Sequence, residues 1–89
     1  MRRSKLQVHV AILQTLANYG KVIPTHITYH TYLNCSDVNE CLGFLVEHNL
    51  VQELNEDNKK RKTYAITEFG LKALQTANQI DKALHVFNT

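Results

Sequence analysis

A run of four consecutive basic residues is the most concentrated charge in this sequence of 89 residues. The run comprises Lys59, Lys60, Arg61 and Lys62. Side chains of this kind neutralise phosphate oxygens and release the counterions condensed around a polyanion. Arg2 and Arg3 add positive charge near the start of the chain, although solubility alone would also explain terminal charges. The net charge is only +2, so the clustering of basic residues, not their total, indicates a polyanionic partner.

Small polar residues form a second group with recognisable chemistry. Ser36 and Asn39 carry groups that hydrogen-bond base edges, and asparagine pairs well with adenine. Gly43 costs a helix up to about 1 kcal/mol relative to alanine, which a close approach of the backbone to a ligand would explain. The preceding segment adds three candidate phosphate contacts, Thr25, Tyr29 and His30. Plain solvent exposure is the alternative explanation for all of these residues.

Metal-binding and catalytic patterns are weaker. His26 and His30 are four residues apart, a spacing that can bind zinc or nickel on a helix, but two ligands do not make a complete site. Cys35 and Cys41 would point to different faces of one helix, so they are predicted to be reduced, with an intersubunit disulfide as the alternative. The sequence has no glycine-rich phosphate loop and no catalytic Ser/His/Asp arrangement. We therefore expect no enzyme activity, no metal and no cofactor.

Hydrophobic periodicity and capping residues predict the elements that must position these side chains. Ser4 caps a first helix over residues 5–18, which Gly20 ends in the left-handed conformation. After a short extended segment at 21–23, Pro24 begins a second helix that continues to Thr31. The third helix has Asn34 as its preferred cap and Ser36 as the alternative, and Asn49 can end it in the left-handed conformation. Its predicted buried face consists of Val38, Leu42, Leu45 and Val46, with Ser36, Asn39 and Gly43 on the opposite face. The predicted strands are 50–54 and 63–66, and Thr67 caps a last helix over 68–87.

This order of elements predicts an α+β fold, mainly α: a winged helix-turn-helix with a long C-terminal helix. The hairpin forms the wing, with the basic run near its tip. We expect one domain over residues 1–89, in which 1–67 form the helix-turn-helix core and wing and 68–87 the last helix. No apolar stretch approaches the roughly 20 residues that span a bilayer, so we expect a cytoplasmic protein without a membrane partner.

Two segments carry a resemblance to a known family. The first is Leu42-x-x-Leu45-Val46-x-x-x-Leu50-Val51, and the second runs from Lys60 through Tyr64-Ala65-Ile66-Thr67-Glu68-Phe69-Gly70 to Leu74. Together they resemble archaeal winged-helix DNA-binding proteins of the small Sulfolobus type, in which the long last helix pairs as an antiparallel coiled coil. PadR-like and MarR-like regulators share the wing signature. The resemblance implies binding to double-stranded DNA as a dimer, as a transcription regulator or a chromatin-type binder, without catalysis.

The third helix departs from that pattern. Residues 34–49 contain Asp37, Glu40 and Glu47 but no lysine or arginine, whereas the family often carries basic residues there. Glu40 could accept a hydrogen bond from a cytosine amino group. The alternative function is therefore a winged helix that binds a protein partner through this acidic helix.

The last helix carries small and large apolar residues at alternating spacings of three and four. They are Gly70, Ala73, Ala77, Ile80, Leu84 and Phe87. We expect Ala73, Ala77, Ile80, Leu84 and Phe87 to form the seam of a homodimer, and Leu71 and Leu74 to pack on the chain's own core. The alternative is that the stripe folds back onto its own domain.

Overall fold

The computed structural model describes residues 4–55 and 62–87 as four helices and a two-stranded antiparallel hairpin. The elements are α1 (Lys5–Tyr19), α2 (Pro24–Thr31), α3 (Cys35–Glu47), β1 (Val51–Asn55), β2 (Lys62–Ile66) and α4 (Glu68–Phe87). This order confirms the predicted winged helix-turn-helix with a long C-terminal helix. No helix in these two ranges is both long enough and apolar enough to cross a membrane.

Side chains and special backbone conformations set the helix ends. The Ser4 hydroxyl accepts a hydrogen bond from the Gln7 backbone N–H, and the Gln7 side chain accepts one from Ser4, which completes a capping box. The Asn34 side chain accepts from the Asp37 N–H at 2.8 Å, so Asn34 is the cap of α3. Gly20 ends α1 with φ 77° and ψ −119°, a positive φ outside the left-handed helical region that was predicted. Glycine adopts this conformation at little cost because it lacks a Cβ.

The hairpin pairs Val51 with Ile66 at its base and Asn55 with Lys62 at its described end. A third segment joins it, because Val22 and Tyr64 exchange two backbone hydrogen bonds of 3.0 and 2.8 Å. The first strand begins one residue later than predicted. The reason is that the Leu50 N–H donates to the Leu45 carbonyl at 2.9 Å and so belongs to the turn after α3.

One hydrophobic core connects α1, α2, α3, the hairpin and the first half of α4. Its buried members are Ile12, Leu13, Leu16, Val22, Ile27, Val38, Leu42, Leu45, Val51 and Leu74. The predicted inward face of α3 is confirmed for Val38, Leu42 and Leu45, whereas Val46 is half-buried. The core therefore determines which side of α3 faces outward.

The first turn of α4 locks that helix to the base of the wing. The Thr67 hydroxyl donates to the Asn49 carbonyl at 2.6 Å and accepts from the Gly70 N–H at 2.9 Å. Gly70 lies so close to the Leu50 carbonyl and to Ile66 that a Cβ there would collide with both. Leu74 enters the core as predicted, but Leu71 is 41% exposed and does not. Gly70 thus packs within its own domain and is not part of an external seam.

Candidate nucleic-acid interface

The outward side of α3 is polar and fully accessible. Because Val38, Leu42 and Leu45 are at most 1% exposed, the opposite side of the helix faces away from the core. Ser36, Asn39 and Gly43 are all exposed there, as the sequence predicted. Apart from its chain neighbours and the backbone of its own helix, nothing in the described structure lies within 4 Å of the position that a Cβ on Gly43 would occupy. The helix can therefore approach another molecule closely at this point.

An open groove separates α3 from the wing. Its walls are formed by Ile23, Pro24, Asn39, Leu42, Gly43, Val46, Glu53, Lys62 and Tyr64. The groove brings two predicted α3 residues, Asn39 and Gly43, to the same surface as Lys62, the last residue of the basic run. A molecule that contacts the outward side of α3 would therefore also meet Lys62, at the end of the described hairpin.

Lys62 is already paired within the wing. Its Nζ lies 3.1 Å from Glu53 Oε1 on the adjacent strand. The hydrogen bond to Glu53, reinforced by the carboxylate charge, raises the pKa of Lys62, which stays protonated. A phosphate would have to compete with Glu53 for this ammonium group. The described residues do not include the other predicted basic contacts, which are Lys59, Lys60, Arg61, Arg2 and Arg3.

The three predicted phosphate contacts on α2 differ in how accessible their side chains are. Thr25 is exposed and Tyr29 is 76% exposed. His30 is half-buried because Tyr19 stacks on its ring, with centroids 4.5 Å apart, and His26 approaches it from the preceding turn. Thr25 and Tyr29 are therefore free to meet a ligand, whereas His30 is held by its neighbours.

Sequence reasoning missed a stack of three rings beside the outward side of α3. His9 of α1 lies parallel to Phe44, with centroids 4.8 Å apart, and His48 packs on Phe44 at 4.3 Å. Burial, and then the charge of Lys5, lower the pKa of His9. The four-residue spacing of Phe44 and His48 could have indicated one contact of the stack. The contact with His9 depends on how α1 and α3 pack.

The surroundings of Cys41 disfavour it as a nucleophile. Both cysteines are free thiols in the described chain, Cys35 exposed and Cys41 half-buried. Burial, followed by the nearby carboxylates of Glu40 and Asp37, raises the pKa of Cys41. A raised pKa disfavours the reactive thiolate.

One side of α4 is an uncovered apolar stripe. Ala73 and Ala77 are half-buried, whereas Ile80 and Leu84 are each 55% exposed. Phe69, which was not predicted to belong to this stripe, is 60% exposed. Its spacing of four from Ala73 places it on the same side of the helix. The side chain of Phe87 lies outside the described part of the chain.

Solved structures share this architecture. A MarR family transcriptional regulator from Silicibacter pomeroyi matches with a TM-score of 0.77 and 20% identity, covering 91% of this chain and 56% of its own. The transcriptional regulator BldR from Sulfolobus solfataricus matches with a TM-score of 0.78 and 17% identity, covering 86% and 55%. The chain thus spans a little over half the length of these two regulators.

A smaller domain matches over its whole length. The Zalpha domain of Carassius auratus PKZ, solved in complex with Z-DNA, has a TM-score of 0.65 and 26% identity, covering 73% of this chain and 100% of the domain. A search of the curated proteins finds no match. A family model described as winged helix-turn-helix matches residues 2–85. The chain therefore belongs to the winged helix-turn-helix family.

Proposed function

We propose that this protein is a dimeric transcription regulator that binds double-stranded DNA and inserts α3 into the major groove. The observation that carries the proposal is the orientation of α3. Val38, Leu42 and Leu45 are buried in the core, and Ser36, Asn39 and Gly43 are exposed on the opposite side. Winged helices place their recognition helix in the groove in this way. The fold shared with MarR-family and BldR regulators supports the same role.

Three sets of residues would contact the DNA. Asn39 and Ser36 would read base edges, and Gly43 would allow the close approach of the helix. Thr25, Tyr29 and His30 of α2 would lie against the phosphate backbone. The basic residues of the wing and of the N-terminus would supply the electrostatic attraction: Arg2, Arg3, Lys59, Lys60, Arg61 and Lys62.

The exposed stripe on α4 is the proposed homodimer interface. The stripe would pack against the same stripe of a second copy through Ala73, Ala77, Ile80, Leu84 and Phe87. Burying each large side chain stabilises the pair by about 1.5–3 kcal/mol. Two copies joined in this way would present two α3 helices to successive turns of the duplex.

The salt dependence of DNA binding tests the electrostatic part of the proposal. Replacing Lys59, Lys60, Arg61 and Lys62 by alanine should flatten the slope of log K against log salt by about one unit per lost phosphate contact. The measurement is fluorescence anisotropy with a labelled duplex at several salt concentrations. An unchanged affinity and slope in the quadruple variant would exclude the wing as a DNA contact.

Asn39→Ala tests base recognition separately. We expect this variant to weaken binding to a selected preferred sequence while random DNA is bound as before. Equal losses on both duplexes would make Asn39 a positioning residue. If the wild-type chain itself shows no preferred sequence, it is a chromatin-type binder and not an operator-specific regulator.

A second candidate function rests on the charge of α3. Asp37, Glu40 and Glu47 are exposed, and the helix contains no lysine or arginine. Such a surface would suit a basic protein partner better than DNA. Retention on DNA-cellulose at low salt separates the two functions, because a protein-binding module would pass through unretained.

A further inference from the structure

Two histidines on α2 direct the same ring nitrogen to one point. His26 and His30 are one helical turn apart, and their Nε2 atoms lie 3.0 Å from each other. In the metal-free chain this approach is a hydrogen bond, in which one imidazole donates and the other accepts. The contact leaves the two ring edges converging at the protein surface.

The separation of these nitrogens matches that of two imidazoles bound to one metal ion. Metal–nitrogen bonds of 2.0–2.1 Å, at angles between square and tetrahedral, require the nitrogens to lie about 2.8–3.4 Å apart. We propose that His26 and His30 chelate a divalent late first-row transition metal ion, Zn²⁺, Ni²⁺ or Cu²⁺. Imidazole nitrogen is a ligand that all three ions accept, whereas Mg²⁺ prefers oxygen.

Neighbouring rings hold the pair in this arrangement. Tyr19 stacks on His30 at 4.5 Å and packs on His26 at 5.4 Å, while Tyr29 lies edge-on to His30 at 5.2 Å. Because these contacts restrict both imidazoles before a metal arrives, less conformational entropy is lost on binding. When the ion binds, the donating ring shifts its proton from Nε2 to Nδ1, and both Nε2 atoms become ligands.

The chain supplies two of the ligands. Among residues 4–55 and 62–87, no group of three histidine, cysteine, aspartate or glutamate side chains is arranged to hold a metal ion. His26 is exposed, so the remaining coordination positions face solvent and would be filled by water. Sequence spacing indicated the pair of histidines, but it could not show that their Nε2 atoms meet. The proposal rests on no DNA contact, although His30 is also one of the proposed phosphate contacts.

Isothermal titration calorimetry with each metal salt alone tests the proposal on the full chain, without an affinity tag. We expect one site per chain, tightest for Cu²⁺ as the Irving–Williams order requires, and no binding of Mg²⁺. His26→Gln and His30→Gln should each weaken binding by about tenfold or more, since losing even an outer-shell partner of a ligand typically costs 10–100-fold. Circular dichroism verifies that both variants fold.

Two control variants test whether another imidazole or a thiol of the chain binds the metal instead. His48→Gln removes a histidine that also packs on an aromatic ring, and Cys35→Ser removes an exposed thiol. Both variants should bind the metal as the wild type does. Wild-type affinity in His26→Gln and His30→Gln, or loss of the site in either control variant, would overturn the proposal.

Discussion

Helices α3 and α4 each bury one side in the same core, yet their uncovered sides have opposite character. The outward side of α3 carries serine, asparagine, glycine and three carboxylates, with Phe44 as its exposed large apolar residue. The uncovered stripe of α4 carries Phe69, Ile80 and Leu84, each more than half exposed. Polar groups suit a hydrated, hydrogen-bonding partner, whereas a contiguous apolar stripe is stabilised by another apolar surface.

The difference follows from helix length relative to the core. α3 has 13 residues, and three buried side chains spread along it reach the core from end to end. α4 has 20 residues and spans about 30 Å. Among its side chains described up to residue 85, the one large buried side chain is Leu74, in the first half of the helix. From residue 78 to residue 85 every side chain of α4 is exposed. This second half of α4 is the part that the proposed second copy would cover.

The largest expected effect comes from disrupting the apolar stripe. Replacing Ile80 and Leu84 together by aspartate should raise the dimer dissociation constant by several orders of magnitude, because burying each side chain contributes about 1.5–3 kcal/mol per subunit. Sedimentation equilibrium measures the change. Leu71→Asp, an exposed position on a different side of α4, should leave the dimer intact. A wild-type chain that is monomeric at tens of micromolar would contradict the proposed interface.

The next largest effect is expected on stability, from a substitution at Gly70 on the buried side of α4. Gly70→Ala should lower the free energy of unfolding by about 1–3 kcal/mol or more, because the added Cβ meets the Leu50 carbonyl and Ile66. Urea denaturation monitored by circular dichroism gives the value. A stability equal to that of the wild type would mean that α4 is not anchored closely to the base of the wing.

Gly43 is the matching glycine on the outward side of α3, and the same substitution should have the opposite sign. Gly43→Ala adds a Cβ into open space, so it should stabilise the fold by up to about 1 kcal/mol through helix propensity. If α3 approaches DNA closely, the same variant should bind a duplex more weakly. Increased stability combined with unchanged DNA affinity would remove Gly43 from the proposed interface.

His9, beside α3, gives the smallest effect. Its pKa is lowered in the folded chain, chiefly by burial, so the folded state binds fewer protons than the unfolded state just below the ordinary pKa of about 6.5. Neutral His9 therefore contributes its full stabilisation of the fold above that pH. This contribution is lost as the pH falls through the lowered pKa of His9 in the folded chain. His9→Gln should therefore flatten the decline of urea midpoints between pH 7 and 5. NMR titration of the His9 ring checks the direction of the pKa shift, and a normal or raised pKa would contradict it.

Capping residues and hydrophobic spacing predicted most of the fold. Ser4, Asn34 and Thr67 cap their helices, and Asn49 adopts the predicted left-handed conformation with φ 63°. These predictions succeed because a cap satisfies backbone groups within three residues of itself. The start of β1 was wrong by one residue because the Leu50 N–H bonds to the Leu45 carbonyl. The prediction for Gly20 was wrong in ψ, which is −119° and lies far from the left-handed helical value of about +47°.

Periodicity and capping were sufficient to predict the order of elements, the buried side of α3 and the opposite face with Ser36, Asn39 and Gly43, because both are local properties. Tertiary structure alone decided which distant groups meet. The stacking of His9 on Phe44, the pairing of Lys62 with Glu53 and the packing of Gly70 on Leu50 each join residues from different elements. Such contacts depend on how helices and strands are placed in space, which spacing along one element does not specify.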